Sequence, residues 1–246
     1  MWRIAIYETV YIIIYGLYTV FEFICGMFEY VYQTVFFTCH EFLFPSEKRA
    51  RLKELVSKIK KKPKHLTVLL GPEDAEVTDL ANLVIWCLAS QIVFISFYDH
   101  KGSLKKKEEK LQLEVKKHSG DTAQVIWYTD ENSNLENGFK GSKVHVKIIT
   151  DEDSKMSAAT ITKLLVESEN EDFTIENIHK HFVKQFRFPD PEMGILFGKD
   201  YCFYNYPPWQ MRLTEFFRFK SAKSITYAQF LNLLVKFSQR EQRLGK

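Results

Sequence analysis

Three turns in this chain carry the residues best suited to chemistry. They are Gly71-Pro72-Glu73-Asp74, Asp99-His100-Lys101-Gly102 and Phe197-Gly198-Lys199-Asp200, each following an apolar run. The Asp99-His100 pair suits acid–base work, and it equally suits a turn whose side chains bond locally. Glu73 and Asp74 are adjacent carboxylates, a combination that often opens a helix. His179 and His181 stand two apart on a helical stretch and point in different directions, so they make poor joint metal ligands. Cys25, Cys39, Cys87 and Cys202 form no close pair. Zinc-site and redox-motif readings therefore lack support, and a reducing, cytosol-facing setting fits the main domain. No G-x-G-x-x-G, Walker A loop, G-x-S-x-G elbow or H-E-x-x-H occurs. No metal site is expected of this chain.

The elements that must position these turns alternate. Residues 65–70, 91–98, 123–128, 143–149 and 194–197 read as strands. Helices are predicted over 74–90, 103–118, 155–168, 174–185 and 227–244. In the first of these helices Leu80, Leu83, Val84 and Cys87 share one face, and Cys87 reads as a buried thiol. Residues 130–141, rich in Asn and Gly, read as an exposed loop. Strand–helix alternation implies an α/β fold with a mainly parallel sheet flanked by helices. Ligands of such sheets sit beyond the carboxyl ends of the strands, where the three turns fall.

The first 44 residues are different. They are aromatic and aliphatic almost throughout, too long and bulky for a secretory leader. A membrane anchor is expected over 1–44, then a basic juxtamembrane helix or linker over 45–64 and the main domain over 65–246. The longest uncharged run, Thr9–Phe21, has thirteen residues, short of the roughly 20 apolar residues that span a bilayer. Glu8, Glu22 and Glu29 fall on one heptad register, giving a helix a narrow polar stripe. Such a helix either lies in the interface with the stripe to water or spans with the stripe toward a partner. Lys and Arg dominate residues 48–64, which places the main domain on the cytosolic side of a span. Residues 1–44 carry a net charge of −3 and the remainder +6. That balance suits a membrane surface or a phosphate-bearing ligand and does not call for nucleic acid.

The carboxy-terminal block is the most distinctive part. Phe188-Pro189-Asp190-Pro191-Glu192 opens it; Asn205, Trp209, Gln210 and Glu215 follow, and the chain closes Arg243-Leu244-Gly245-Lys246. With Asp99, His100 and Gly102, these residues resemble the cis-prenyltransferase superfamily, which includes undecaprenyl diphosphate synthase. They are most similar to its Nogo-B receptor branch, the accessory subunit of dehydrodolichyl diphosphate synthase. The likeness runs in order over residues 65–246 and extends to the anchor before the domain.

The departures matter as much. Catalytic members carry D-G-N-x-R-W-A after the first strand, and its Asp holds magnesium; here Gly71 takes that position. They also carry R-T-S-G-E after Pro-Asp-Pro, and here Leu196 replaces the diphosphate-binding Arg. Glu215 matches a magnesium-associated Glu whose partner Asp is missing. The resemblance thus implies no catalytic residue in this chain and Mg2+ held by a catalytic cis-prenyltransferase subunit. It implies that the complex acts as a ditrans,polycis-polyprenyl diphosphate synthase. That enzyme adds isopentenyl diphosphate to farnesyl diphosphate for dolichol synthesis and protein glycosylation, at the endoplasmic reticulum membrane. The terminal Arg243, Leu244 and Gly245 are then a shared diphosphate-binding tail, although unaided they also suit a helix end. Asn205, Trp209, Glu215, Asp99 and His100 are candidate site or interface residues. Trp209 and Phe216, Phe217 and Phe219 also suit plain packing. A membrane receptor or adaptor on a relic enzyme fold is the alternative.

Overall fold

The computed structural model describes residues 2–31, 52, 54–72, 75–119, 123–128, 142–167, 174–186, 188–219 and 225–240. The chain divides into two compact units, residues 1–54 and 55–246.

The first unit holds one long helix, α1 (Trp2–Val31). Within it Tyr7–Cys25 is a candidate membrane span of 19 residues with mean hydropathy 1.4, and none of it is buried by protein. At about 1.5 Å per residue it reaches roughly 28 Å, close to the thickness of a hydrocarbon core. Glu8 and Glu22 are exposed, as is every residue from Tyr7 to Cys25; the side chain of Glu29, the third member of the expected stripe, lies outside the described ones. The Tyr18 hydroxyl donates to Glu22 Oε1 at 3.4 Å, one turn away, so this carboxylate has a partner within its own helix. Expectations for residues 32–44 and for Cys39 fall outside the described residues.

The second unit is a six-stranded, wholly parallel sheet. Its strands are β1 (His65–Leu69), β2 (Phe94–Asp99), β3 (Ala123–Tyr128), β4 (Ser142–Thr150), β5 (Met193–Phe197) and β6 (Glu215–Phe219). Their order is β3-β4-β2-β1-β5-β6. The helices are α2 (Val77–Ser90), α3 (Glu108–Ser119), α4 (Asp151–Glu167), α5 (Ile175–Phe186), α6 (Pro208–Met211) and α7 (Tyr227–Ser238). Central strands of such a sheet are covered on both faces, so β1 and β5 are buried at every residue. Leu80, Leu83, Val84 and Cys87 of α2 are buried, the face that the apolar spacing predicts. Burial drives the Cys87 thiol pKa up, which keeps it protonated. Gln91 ends α2 in the left-handed conformation (φ 61°), with its N–H on the carbonyls of Cys87 and Leu88. That cap delays β2 to Phe94, three residues later than the apolar run suggests.

Two differences from the sequence reading stand out. The last helix begins at a Thr226–Gln229 capping box and ends at Ser238, not at Leu244; residues 241–246 lie outside the described ones. Residues 215–219 form a sixth strand, where the sequence reading has only packing aromatics. Its fit against β5 depends on Gly194. A Cβ at that position would come within 2.3 Å of the Phe216 ring.

Candidate functional site

The connection from β1 leads to β2 on one side, and that from β5 leads to β6 on the other. The carboxyl ends of β1 and β5 are thus the topological switch point, where ligands of open parallel sheets bind. Here the backbone after β1 is pressed against β5, while a cavity lined by Leu70, Gly71, Asp99, Lys101, Ser103 and Lys107 remains on the β2 side. Gly71 follows β1, and a Cβ on it would lie 2.1 Å from the Phe197 carbonyl oxygen and 2.9 Å from its carbon. These are backbone atoms of β5, so no rotamer change makes room. Leu196, in the neighbouring strand, is fully buried.

Aromatic side chains fill the space beside it. Tyr98, Tyr206, Phe186, Leu196 and Ile149 pack as one buried cluster, with Phe203, Tyr204, Met211 and Phe216 against it. Two consecutive non-glycine residues, Tyr204 (φ 48°) and Asn205 (φ 62°), adopt left-handed backbone. Such conformations are disfavoured by about 1–2 kcal/mol each unless surroundings hold them. Here the Tyr98 hydroxyl donates to the Tyr204 carbonyl at 2.5 Å. The Tyr204 ring stacks on His100 at 4.5 Å and 12°. The Tyr206 ring meets Tyr98 edge-on at 5.1 Å. The Asn205 turn therefore drives Tyr206 into the core while Asn205 itself stays exposed.

Asp99 is 2% exposed. Its carboxylate accepts from Lys101 N (2.9 Å), Ser103 Oγ (3.0 Å) and Leu104 N (2.7 Å). This ties the turn after β2 into the short 3-10 helix before α3. His100 Nδ1 is buried without a hydrogen-bond partner. Lys101 Nζ donates to the Pro72 carbonyl, joining two of the three turns. The sheet thus brings Asp99, His100, Gly71 and Gly198 to one end.

Glu215 is elsewhere. It opens β6 opposite Met193, in a layer with Leu66 and Ile95. That is four residues, or about 13 Å along the strands, from Asp99. Its carboxylate is ion-paired with the Arg240 guanidinium, which also lies 5.1 Å from the Phe217 ring. Arg243, Leu244 and Gly245 lie outside the described residues; the chain approaches them from Arg240, against the edge strand. A magnesium site does not fit these groups. Gly71 offers no carboxylate, Asp99 serves three donors and Glu215 is paired with Arg240. Among the described residues no three His, Cys, Asp or Glu cluster as metal ligands.

Trp209 links the Pro-Asp-Pro turn to α5. Its Nε1–H donates to His179 Nδ1 at 3.3 Å, and its ring stacks on Phe182 at 5.2 Å and 5°. Arg212 lies 5.1 Å over the same ring, and His179 stands 3.8 Å from Asp190. Burial raises the Asp190 carboxyl pKa, with His179 and Arg212 pulling the other way. Trp209→Ala is expected to lower stability by about 3 kcal/mol. Trp209→Phe keeps the stack, loses the hydrogen bond and costs about 1 kcal/mol. Thermal unfolding of both variants checks the ranking.

The same turn reaches the core through His65, a residue that the motif search did not single out. Its Nδ1–H donates to the Pro189 carbonyl at 2.5 Å. Its Nε2 meets Ser96 Oγ at 2.8 Å, and Ser96 Oγ is 3.0 Å from Thr67 Oγ1. A strand histidine beside Ser and Thr on one sheet face was its only sequence signal. Burial pushes the His65 pKa down to about 3, with Lys147 acting in the same direction and the Pro189 and Asp190 backbone opposing. Unfolded His65 takes up a proton near pH 6.5, whereas folded His65 stays neutral down to about pH 3. Stability therefore falls as pH drops through that window, by about 1.4 kcal/mol per pH unit, or roughly 2 kcal/mol at pH 5. Urea unfolding across pH 4–8 should show this slope, and His65→Gln should flatten it. His145, lowered by burial and by Lys143, contributes in the same direction.

No family model matches the chain. Curated proteins do. The chain is 29% identical to the mouse dehydrodolichyl diphosphate synthase complex subunit Nus1, over 80% of this chain and 71% of that protein. It is 28% identical to the Schizosaccharomyces pombe nus1 subunit, over 92% of this chain and 95% of that one. The human NUS1 subunit is 28% identical over 76% of this chain. Among solved structures, a probable undecaprenyl diphosphate synthase from Campylobacter jejuni superposes with TM-score 0.57 at 16% identity. It covers 75% of this chain and 100% of that one. Lavandulyl diphosphate synthase from Lavandula x intermedia superposes with TM-score 0.53, also at 16% identity over 75% of this chain. In sequence the chain is a relative of the Nus1 subunits of the dehydrodolichyl diphosphate synthase complex, and its parallel sheet has the fold of undecaprenyl diphosphate synthase.

Proposed function

We propose that this chain is the accessory subunit of a heteromeric cis-prenyltransferase, attached to the membrane by α1 and inactive alone. The observation that carries this reading is that Gly71, pressed against β5, and the buried Leu196 stand at the switch point, with no carboxylate or guanidinium at either position. Departure of diphosphate from an allylic substrate needs a cation and hydrogen-bond donors at the leaving group. Here the β1 end is a glycine pressed against β5 backbone, and the neighbouring site is the buried Leu196. Magnesium, farnesyl diphosphate and isopentenyl diphosphate then belong to the catalytic partner's site. The contribution of this chain is its tail. Arg243 forks onto phosphate oxygens and Gly245 lets backbone N–H groups approach closely. The complex makes polyprenyl diphosphate for dolichol, with the 55–246 unit on the cytosolic side of the endoplasmic reticulum membrane.

The test is reconstitution. The full chain, purified alone and with a catalytic cis-prenyltransferase subunit, is assayed for isopentenyl incorporation into polyprenyl diphosphate. Turnover is expected in the mixture above that of the partner alone. Turnover by this chain alone would refute the reading, and a mixture no better than the partner would favour the adaptor reading.

A further inference from the structure

The amino ends of the strands carry a surface dominated by one sign of charge. Lys58, Lys60, Lys61, Lys62 and Lys64 precede β1, and all five are exposed. The run is held against the unit. Ser238 Oγ donates to the Lys58 carbonyl at 3.5 Å, and Lys61 Nζ lies 5.5 Å from the Phe237 ring. Lys62 Nζ donates to Gln91 Oε1 at 3.4 Å, and Lys64 N–H donates to Glu192 Oε2 at 2.7 Å. It therefore crosses the carboxy-terminal ends of α2 and α7 as well as the start of β1. Topology delivers further cations to the same end. Helix α3 runs from the end of β2 back to the start of β3, so its last-turn Lys116 and Lys117 arrive here. Lys236 does so at the end of α7.

Lysine-rich faces are usually just solvated; this one differs in balance. Among the described residues, the carboxylates at this end are already engaged. Glu114 pairs with Lys117 and His118, Glu192 takes the Lys64 N–H, Glu215 pairs with Arg240, Asp190 stands beside His179 and Glu167 beside Lys163. The opposite end is mixed, because Asp151, Glu152 and Asp153 start α4 there and Lys105, Lys106 and Lys107 precede α3 there.

We propose that this strand-start face docks the 55–246 unit on a membrane surface rich in anionic lipid, as an attachment additional to α1. The inference rests on reading α1 as a membrane anchor. Lys48, Arg49, Arg51 and Lys53 extend the same charge along the connecting sequence. Each lysine near an anionic surface strengthens attachment by about fivefold at physiological salt, and the gain is screened as salt rises.

The experiment uses the full chain in vesicles of phosphatidylcholine alone or of phosphatidylcholine with phosphatidylserine. A water-soluble amine-reactive reagent is applied, and labelling is read site by site by mass spectrometry. In the anionic vesicles, labelling of Lys60, Lys62, Lys64 and Lys116 should fall by about fivefold or more and recover in high salt. Labelling of Lys106 and Lys199, at the other end of the strands, should not change. The Lys60→Glu, Lys62→Glu, Lys64→Glu variant should lose the protection of Lys116 with an unaltered circular dichroism spectrum. Equal labelling in both vesicles overturns the proposal. So does protection that appears only when a catalytic partner protein is added, whatever the lipid. Prenyl transfer is not read, so the result stands or falls separately from the assignment as a synthase subunit.

Discussion

Gly71→Asp, which restores the acidic residue of the catalytic pattern, is expected to destabilise the protein without creating an active enzyme. The added Cβ would sit 2.1 Å from the Phe197 carbonyl oxygen, so β1 or β5 must shift. Overpacking a buried site typically costs about 1–3 kcal/mol, and an unpaired carboxylate in a buried position adds to that. A loss of about 3 kcal/mol, or roughly 6–12 °C in Tm for a unit of this size, is the expected result. Gly71→Ala should lose most of the same stability, because the clash begins at Cβ. Thermal unfolding with and without magnesium is the measurement. A Gly71→Asp protein as stable as the parent, and further stabilised by magnesium, would mean that the crevice opens and that the chain's own site is only dormant.

Arg243→Ala is expected to cut turnover of the reconstituted complex about tenfold to a hundredfold at low isopentenyl diphosphate. This follows from losing a charge-assisted contact worth about 1.5–3 kcal/mol. The two subunits should still co-elute in size-exclusion chromatography, since the substitution removes one charged side chain and leaves the described fold of the 55–246 unit unchanged. Arg243→Lys keeps the charge and loses the planar fork, so an intermediate loss is expected. Unchanged turnover for Arg243→Ala would remove the tail from the mechanism while leaving the fold untouched. The two experiments separate cleanly. The first asks whether this chain's own switch point admits a carboxylate, and the second asks whether its end serves another.

The segment between β5 and α6 is shaped by the same aromatic packing. Tyr204 and Asn205 hold left-handed backbone at two consecutive non-glycine positions, and the packing of Tyr98, Tyr204 and Tyr206 at the carboxyl ends of the strands supplies the compensation. The chemistry of the site is then settled by burial as much as by residue type: Asp99 and His100 stand at an expected end of the sheet, yet Asp99 is engaged in holding a turn.

Much of the fold was readable along the chain. Five strands and the helices between them were legible because burial on a parallel sheet imposes apolar runs, and helix packing imposes a 3.6-residue stripe such as Leu80, Leu83, Val84 and Cys87. Both signals are local. The absence of an acidic residue at position 71 and of an Arg at 196 was equally plain, since it needs only the residue type. The sixth strand was not legible. Glu-Phe-Phe-Arg-Phe has no clear alternation, and it becomes a strand only because Gly194 lets the Phe216 ring lie flat against β5. Helix α7 was overextended for the opposite reason: its apolar and charged pattern continues past Ser238 without a residue that forces a stop.

The sequence by itself determined the alternation of elements, the long apolar segment, the basic run after it and the residue types at positions 71 and 196, because each is a property of neighbouring residues. Tertiary structure alone decided that the backbone at Gly71 is pressed against β5, that Glu215 and Asp99 lie at opposite ends of the strands, and that lysines from separate segments converge on one face. Those outcomes depend on strand order and register. They are set by contacts between residues far apart in the chain, whose energies no local pattern records.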